Sequence, residues 1–251
     1  MRIGRANWLI PIVLACLAGP AAAQDMPTVL PNNYVLSDIL NRQRVEASIG
    51  APLDRPARSS AKKPAQPATP RSAPAASTSY RPSPAVSVRV RGQFVGWMRG
   101  RVGAADAGKL ATAFEQNDPV HSWAQIVAAD GLHPNDLADS LAGYWILNWV
   151  MANSADNNRA QVLAVRRQVA AMLSTNPALA RLSEAQRQEM SETFILNFLI
   201  QHAAYDDAVR RGDRDGMRRL GDAAVRRFGG EMGVDLRQLR LTETGFVPTG
   251  K

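Results

Sequence analysis

Three histidines, two aspartates three residues apart and a run of arginines are the side chains of this 251-residue chain with the clearest chemical potential. His121, His133 and His202 are separated by 12 and 69 residues, so they lack the tight spacing that builds a metal site on one element. His202 and Asp206 lie four apart, on one face of a helix, and would be half a site. A helix-surface hydrogen bond explains the pair more simply, and no metal or other cofactor is implied.

Asp136 and Asp139 could act as paired carboxylates if one were desolvated. Acids at a helix start are also favoured by exposed amides and the dipole, which accounts for Asp136 as a cap. Asp139 sits in apolar company and is expected to pair with an arginine from the second half of the chain. Glu115, Asp139, Glu189 and Glu192 are the acids that a hydrolase reading would use, with Asp139, Glu189 and Glu192 the stronger three. No catalytic residue is assigned.

Tyr144, Trp145 and Trp149 could line a pocket or stack a sugar, but their equally apolar neighbours favour core packing. The expected core comprises Phe94, Trp97, Trp123, Leu141, Tyr144, Trp145, Trp149, Phe194, Phe198 and Leu199. Asn148 and Asn197 sit mid-helix among apolar residues and read as a buried pair fixing register. From Arg210 to Arg227, seven arginines are interleaved with Asp213, Asp215 and Asp222, and Asp206 and Asp207 precede them. Mixed charge at helical spacing makes a salt-bridged face, so no specific nucleic-acid binding is expected. There is no phosphate-cradling glycine loop, nucleophile elbow or dinucleotide fingerprint.

The elements that would position these residues follow a signal-like start. Arg2 and Arg5, the apolar run Trp8 to Leu17 and then Ala21-Ala22-Ala23 form a secretory signal peptide over residues 1–23. The run is too short to span a bilayer, and no transmembrane helix is expected in the mature chain. Cleavage near Ala23 removes the sole cysteine, Cys16, and with it thiol chemistry; lipidation at Cys16 is the alternative. The expected destination is the periplasm or the exterior.

Residues 24–50 hold one weak helical pattern. Residues 51–82 read as a disordered basic linker, because its Pro, Ala and Ser cannot bury enough surface to offset chain entropy. Charge is divided unevenly: residues 51–90 carry seven basic groups and one acid, whereas 91–251 carry 19 and 18. An anionic envelope surface is therefore the expected partner of the linker, not of the domain.

Residues 83–251 read as one all-α domain, a bundle of about seven helices. Val86, Val90, Phe94 and Trp97 form the first stripe after Pro84, and Leu110 and Phe114 mark a second helix. Asp118 caps a third, a fourth runs from about Asn135 to Ala152, and a fifth from Arg159 to Ser174. Ser183 and Gln186 form a capping box for the sixth, which Gly212 closes, and the seventh spans about Asp213 to Phe228. The fourth and sixth helices are apolar nearly all round and belong at the centre.

The segments Asp136-x-x-Asp139-x-x-x-Gly143-Tyr144-Trp145-x-x-x-Trp149 and Leu239-Arg240-Leu241-Thr242-x-x-Gly245-Phe246 resemble a family of secreted bacterial helical proteins of unknown function. The similarity covers about residues 80–247. It implies export and a helical domain, and transfers no activity. The expected role is binding or structural, in the cell envelope. The alternatives are a hydrolase acting on peptidoglycan and a carrier of an apolar ligand in the space around Trp145 and Phe198.

Overall fold

The computed structural model describes residues 77–250, so the expected signal peptide, residues 24–50 and most of the linker lie outside the described residues. The described chain is an all-α bundle with a small terminal hairpin. Its helices are α1 (Pro84–Gln116), α2 (Pro119–Val127), α3 (Leu137–Asn153), α4 (Arg159–Ser174), α5 (Pro177–Ala180), α6 (Glu184–Arg211) and α7 (Arg214–Met232).

The capping residues act as their types dictate. Asp118 accepts from the Val120 amide, and Asp136 from the amides of Ala138 and Asp139. Ser183 and Gln186 form a reciprocal capping box on α6. The expected first and second helices are two arms of α1, folded about Gly103 at φ 84°, ψ 168°. The arms meet through Phe94 and Phe114, whose ring centroids are 6.2 Å apart.

α3 and α6 are buried along most of their length and form the centre, with α7, α4 and α2 around them. Tyr144 of α3 contacts Phe194 of α6 at 5.5 Å and stacks on Phe228 of α7 at 5.9 Å. α1 packs on another face of α6, where Val90, Phe94, Leu110 and Phe114 meet Leu196 and Ile200 in a separate apolar cluster. Trp97 differs from its expected place in the core. It is half-buried at the margin of that cluster, with the Arg101 guanidinium 3.7 Å from its ring centroid.

Two departures from a purely helical domain are informative. The chain joins the fold before Ser83: the Tyr80 amide donates to the Asn135 carbonyl and the Leu137 amide to the Thr78 carbonyl. Tyr80 is buried, and its hydroxyl lies 2.9 Å from Ser191 Oγ. These bonds seat residues 78–80, assigned by composition to the linker, against the start of α3.

At the other end, β1 (Leu239–Thr242) and β2 (Gly245–Pro248) form an antiparallel hairpin with Leu241 opposite Phe246. Side chains satisfy its outer edges. The Gln168 amide accepts from the Phe246 N–H at 2.9 Å and donates to its carbonyl at 3.1 Å. Gln161 Nε2 donates to the Leu241 carbonyl, and Trp149 Nε1 to that of Leu239. A two-stranded hairpin is marginal alone; here α3 and α4 complete it.

Candidate functional site

The residues with chemical potential divide into three places. The first is the start of α3. Asp139 is almost fully buried, and Arg166 of α4 donates to its Oδ2 through Nε and Nη2, both at 3.2 Å. The His133 amide approaches Oδ1 at 3.4 Å, and Arg166 also lies 3.7 Å from Asp136. Burial pushes the Asp139 carboxyl up from its ordinary value, against the lowering pull of Arg166. The expected pairing with an arginine is present, and the ion pair fastens α3 to α4.

The second place is a polar level inside the bundle. Asn148 and Asn197 do not serve as a mutual pair. Each donates to its own helix, at the Tyr144 and Thr193 carbonyls, respectively. Arg227 of α7, itself buried, donates from Nη1 to Asn148 Oδ1 at 2.7 Å. An asparagine that can recruit a guanidinium gains a charge-assisted bond, which two amides cannot offer each other. Asn197 Oδ1 and both polar ends of the wholly buried Gln201 have no hydrogen-bond partner among the described residues.

The third place is a shallow depression, with room for about one water molecule, where α1, the start of α2 and α6 meet. Glu192 lines it and is only 5% exposed. Its Oε1 accepts from Ser87 Oγ and from Gln188 Nε2, both at 2.7 Å. Gln188 also holds the N-terminus of α1, accepting from the Ser83 amide and donating to its carbonyl, both at 2.9 Å. Burial pushes the Glu192 carboxyl up; the bonds from Gln188 and Ser87 and the nearby Arg91 oppose this. Arg91 and Asp118 complete the polar wall.

The remaining candidates are dispersed. Glu189 forms a 3.0 Å ion pair with Arg89, and Glu115 is exposed. His121 meets Gln125 at 3.0 Å on the exposed side of α2. His202 stacks on Phe198 at 5.5 Å, and burial lowers its pKa to about 4 despite Asp206. Among the described residues, no three His, Cys, Asp or Glu side chains gather into a metal-binding group. The arginine run pairs locally, Arg210 with Asp206 at 3.4 Å and Arg218 with Asp215 at 2.7 Å. The space that a carrier would need is occupied: Trp145 lies edge-on to Phe228, and Phe198 meets Trp123 edge-on. No described helix is long and apolar enough to cross a membrane.

The two segments that carried the family resemblance are framework. Asp136 caps, Asp139 holds Arg166, Tyr144 stacks and Trp149 anchors β1. A methyl group at Gly143 would come within 3.3 Å of Trp123 and Leu132. Gly245, at φ 113°, lets Gln168 grip β2; a Cβ there would lie 2.6 Å from Gln168 Oε1.

A family model of unknown function, DUF6683, matches residues 5–249. The chain belongs to this family. The match begins well before residue 80, where the resemblance of the two segments started, so family membership takes in the N-terminal region as well as the bundle. No curated protein and no solved structure matches the chain.

Four residues of these sites are not singled out from sequence: Ser87, Arg91, Arg166 and Gln188; Arg227 is read there only as part of the arginine run. The first two lie four apart on α1, as do Gln188 and Glu192 on α6, so each pair shares a helix face. That spacing was the available signal.

Proposed function

We propose that this DUF6683 protein is an exported module of the cell envelope, in which a basic tether carries a rigid helical domain with a binding or structural role. The observation that carries the binding reading is the use made of its buried acids. Asp139 is held by Arg166 and Glu192 by Ser87 and Gln188, so both fasten one helix to another. The signal-like start supports export, and the uneven charge supports an anionic partner for the tether.

The test combines location and binding. N-terminal sequencing of the envelope form should begin at Gln24, and the purified protein should co-sediment with peptidoglycan sacculi or anionic vesicles in a salt-sensitive manner. A full-length cytosolic product, or no retention on either surface, would contradict the reading.

Envelope hydrolysis is the second reading, favoured by one feature: Glu192 lines a shallow depression that also holds Ser87 and Arg91. Soluble fragments released from sacculi, and lost with Glu192→Gln, would put it first.

A further inference from the structure

Charge is nearly balanced over residues 91–251, yet it is not spread evenly. The first arm of α1 and its bend, from Pro84 to Ala105, carry Arg89, Arg91, Arg99 and Arg101 and no acid. Arg89 is taken by Glu189 at 3.0 Å, and Arg91 sits in the depression that Glu192 also lines. Arg99 and Arg101, at the bend, pair with no carboxylate among the described residues. Asp106 on the second arm does not serve them, because Lys109 engages it at 2.8 Å. The bend is also open: from Arg99 to Ala105 every residue is exposed except the half-buried Val102.

A second observation falls at the same place. The Trp97 indole N–H is covered and has no acceptor among the described residues. The indoles of Trp123 and Trp145 are unpartnered too, but they are sealed in the core. Trp97 lies at the margin, and Arg101 covers its ring, 3.7 Å from the centroid. A buried donor without an acceptor is costly. It gains one when an anion draws Arg101 aside and the indole edge meets an acceptor from outside the chain.

We propose that the bend of α1 docks end-on on an anionic phospholipid surface. Arg99 and Arg101 take lipid phosphates, which suit the guanidinium fork. Trp97 and Val102 settle at the level of the headgroups, where the indole N–H meets ester carbonyls. Charge complementarity selects an anionic surface, and an indole with an apolar neighbour suits the interfacial layer better than a hydrated polyanion. The tether has its own attraction for anionic surfaces, so this contact can fail while the envelope reading stands.

The test uses the full chain carrying Trp8→Phe and vesicles of phosphatidylcholine with and without phosphatidylglycerol. Trp123, Trp145 and Trp149 are buried, so Trp97 is then the tryptophan nearest the surface. Each cation near an anionic leaflet adds roughly fivefold in affinity, so Arg99→Gln with Arg101→Gln should weaken vesicle binding about tenfold or more. The same loss of charge at the exposed Arg214 and Arg226 should change it less than about twofold, since charges away from the surface are screened. Brominated phosphatidylglycerol should quench the tryptophan fluorescence, and Trp97→Phe should remove most of that quenching. The proposal is overturned if the two double variants lose affinity equally, or if quenching survives Trp97→Phe. It is also overturned if the Arg99 and Arg101 variant loses affinity for a DNA duplex but not for vesicles.

Discussion

α6 has two working faces, and they are built on different principles. Toward α2, α3 and α7 it presents Phe194 and Phe198 to Trp123 and Tyr144, in a seam whose ring contacts surround a buried polar level. Toward α1 it presents Leu196 and Ile200, continued by Gln188, Ser191 and Glu192, which meet Tyr80, Ser83 and Ser87 through hydrogen bonds. The first seam is held by area and shape. The second is held partly by directed polar contacts, of which those to Glu192 involve a titrating group.

The largest effect should come from emptying the aromatic seam. Tyr144→Ala or Trp145→Ala removes a ring from the centre, and such truncations cost roughly 3–5 kcal/mol. That is a large share of the ~5–15 kcal/mol by which a domain is normally stable. Poor yield or a sharply lowered Tm is expected. A Trp145→Ala protein that melts normally but loses a ligand would show that the aromatic level is a site and that the contrast between the seams is misplaced.

Acidification should act on the two faces in opposite directions. His202 has its pKa lowered to about 4 by burial, so its neutral form stabilises the fold above the unfolded value near 6.5. That contribution is lost as pH falls through the folded value, an effect on the order of 1–3 kcal/mol. Glu192 is raised, so its contribution is fully present below the ordinary glutamate value and is lost as pH rises through its higher folded pKa. Thermal melts from pH 7 to pH 4 should show net weakening in the native protein and less in His202→Asn. Glu192→Gln should melt no lower than the native protein at pH 7, because an amide oxygen can still accept from Ser87 and Gln188. Glu192→Ala should lose about 1–3 kcal/mol by stranding those donors. If His202→Asn retains the whole acid response, the weakening arises elsewhere.

Local signals made much of this architecture legible from sequence. Caps at Asp118, Asp136 and Ser183 are read by residues two or three positions away, and the apolar character of α3 and α6 is continuous, so these elements could be read with the right ends. What was hidden is tertiary. The β-hairpin alternates over only four residues per strand, and its missing edge partners are Gln161, Gln168 and Trp149, some 70–90 positions upstream. Trp97 follows the apolar stripe of α1 but lies at its margin, where Arg101 covers it. Asn148 was matched to Asn197 by likeness, whereas the bundle supplied Arg227. The clamp on Glu192 was similarly out of reach, because Ser87 lies 105 positions away.

A smaller effect should come from the hairpin. Gly245→Ala places a side chain at φ 113° against Gln168, which costs about 1 kcal/mol or more and frees the end of β2. Hydrogen exchange at Phe246 should speed up while α3 and α6 amides are unaffected. Equal acceleration in α6 would mean that the hairpin is integral to the core.

The smallest effect on stability separates tether from flank. A truncated protein starting at Ser77 keeps Thr78 and Tyr80, and with them the bonds to Leu137, Asn135 and Ser191. One starting at Ser83 loses them together with the buried Tyr80 ring and leaves the Ser191 hydroxyl without its partner, a loss of roughly 2 kcal/mol or more. The first should therefore melt within a degree or two of the full chain, and the second lower. Retention on heparin should behave differently. Residues 51–90 carry seven basic groups against one acid, and most of them lie before Ser77. Clustered cations bind polyanions through counterion release, so elution should shift to much lower salt in both truncations alike. If the protein starting at Ser77 elutes at the salt concentration of the full chain, the arginines from Arg210 to Arg227 form a working basic surface despite their acidic partners. The folded domain, and not the tether, would then be the part that meets the anionic partner.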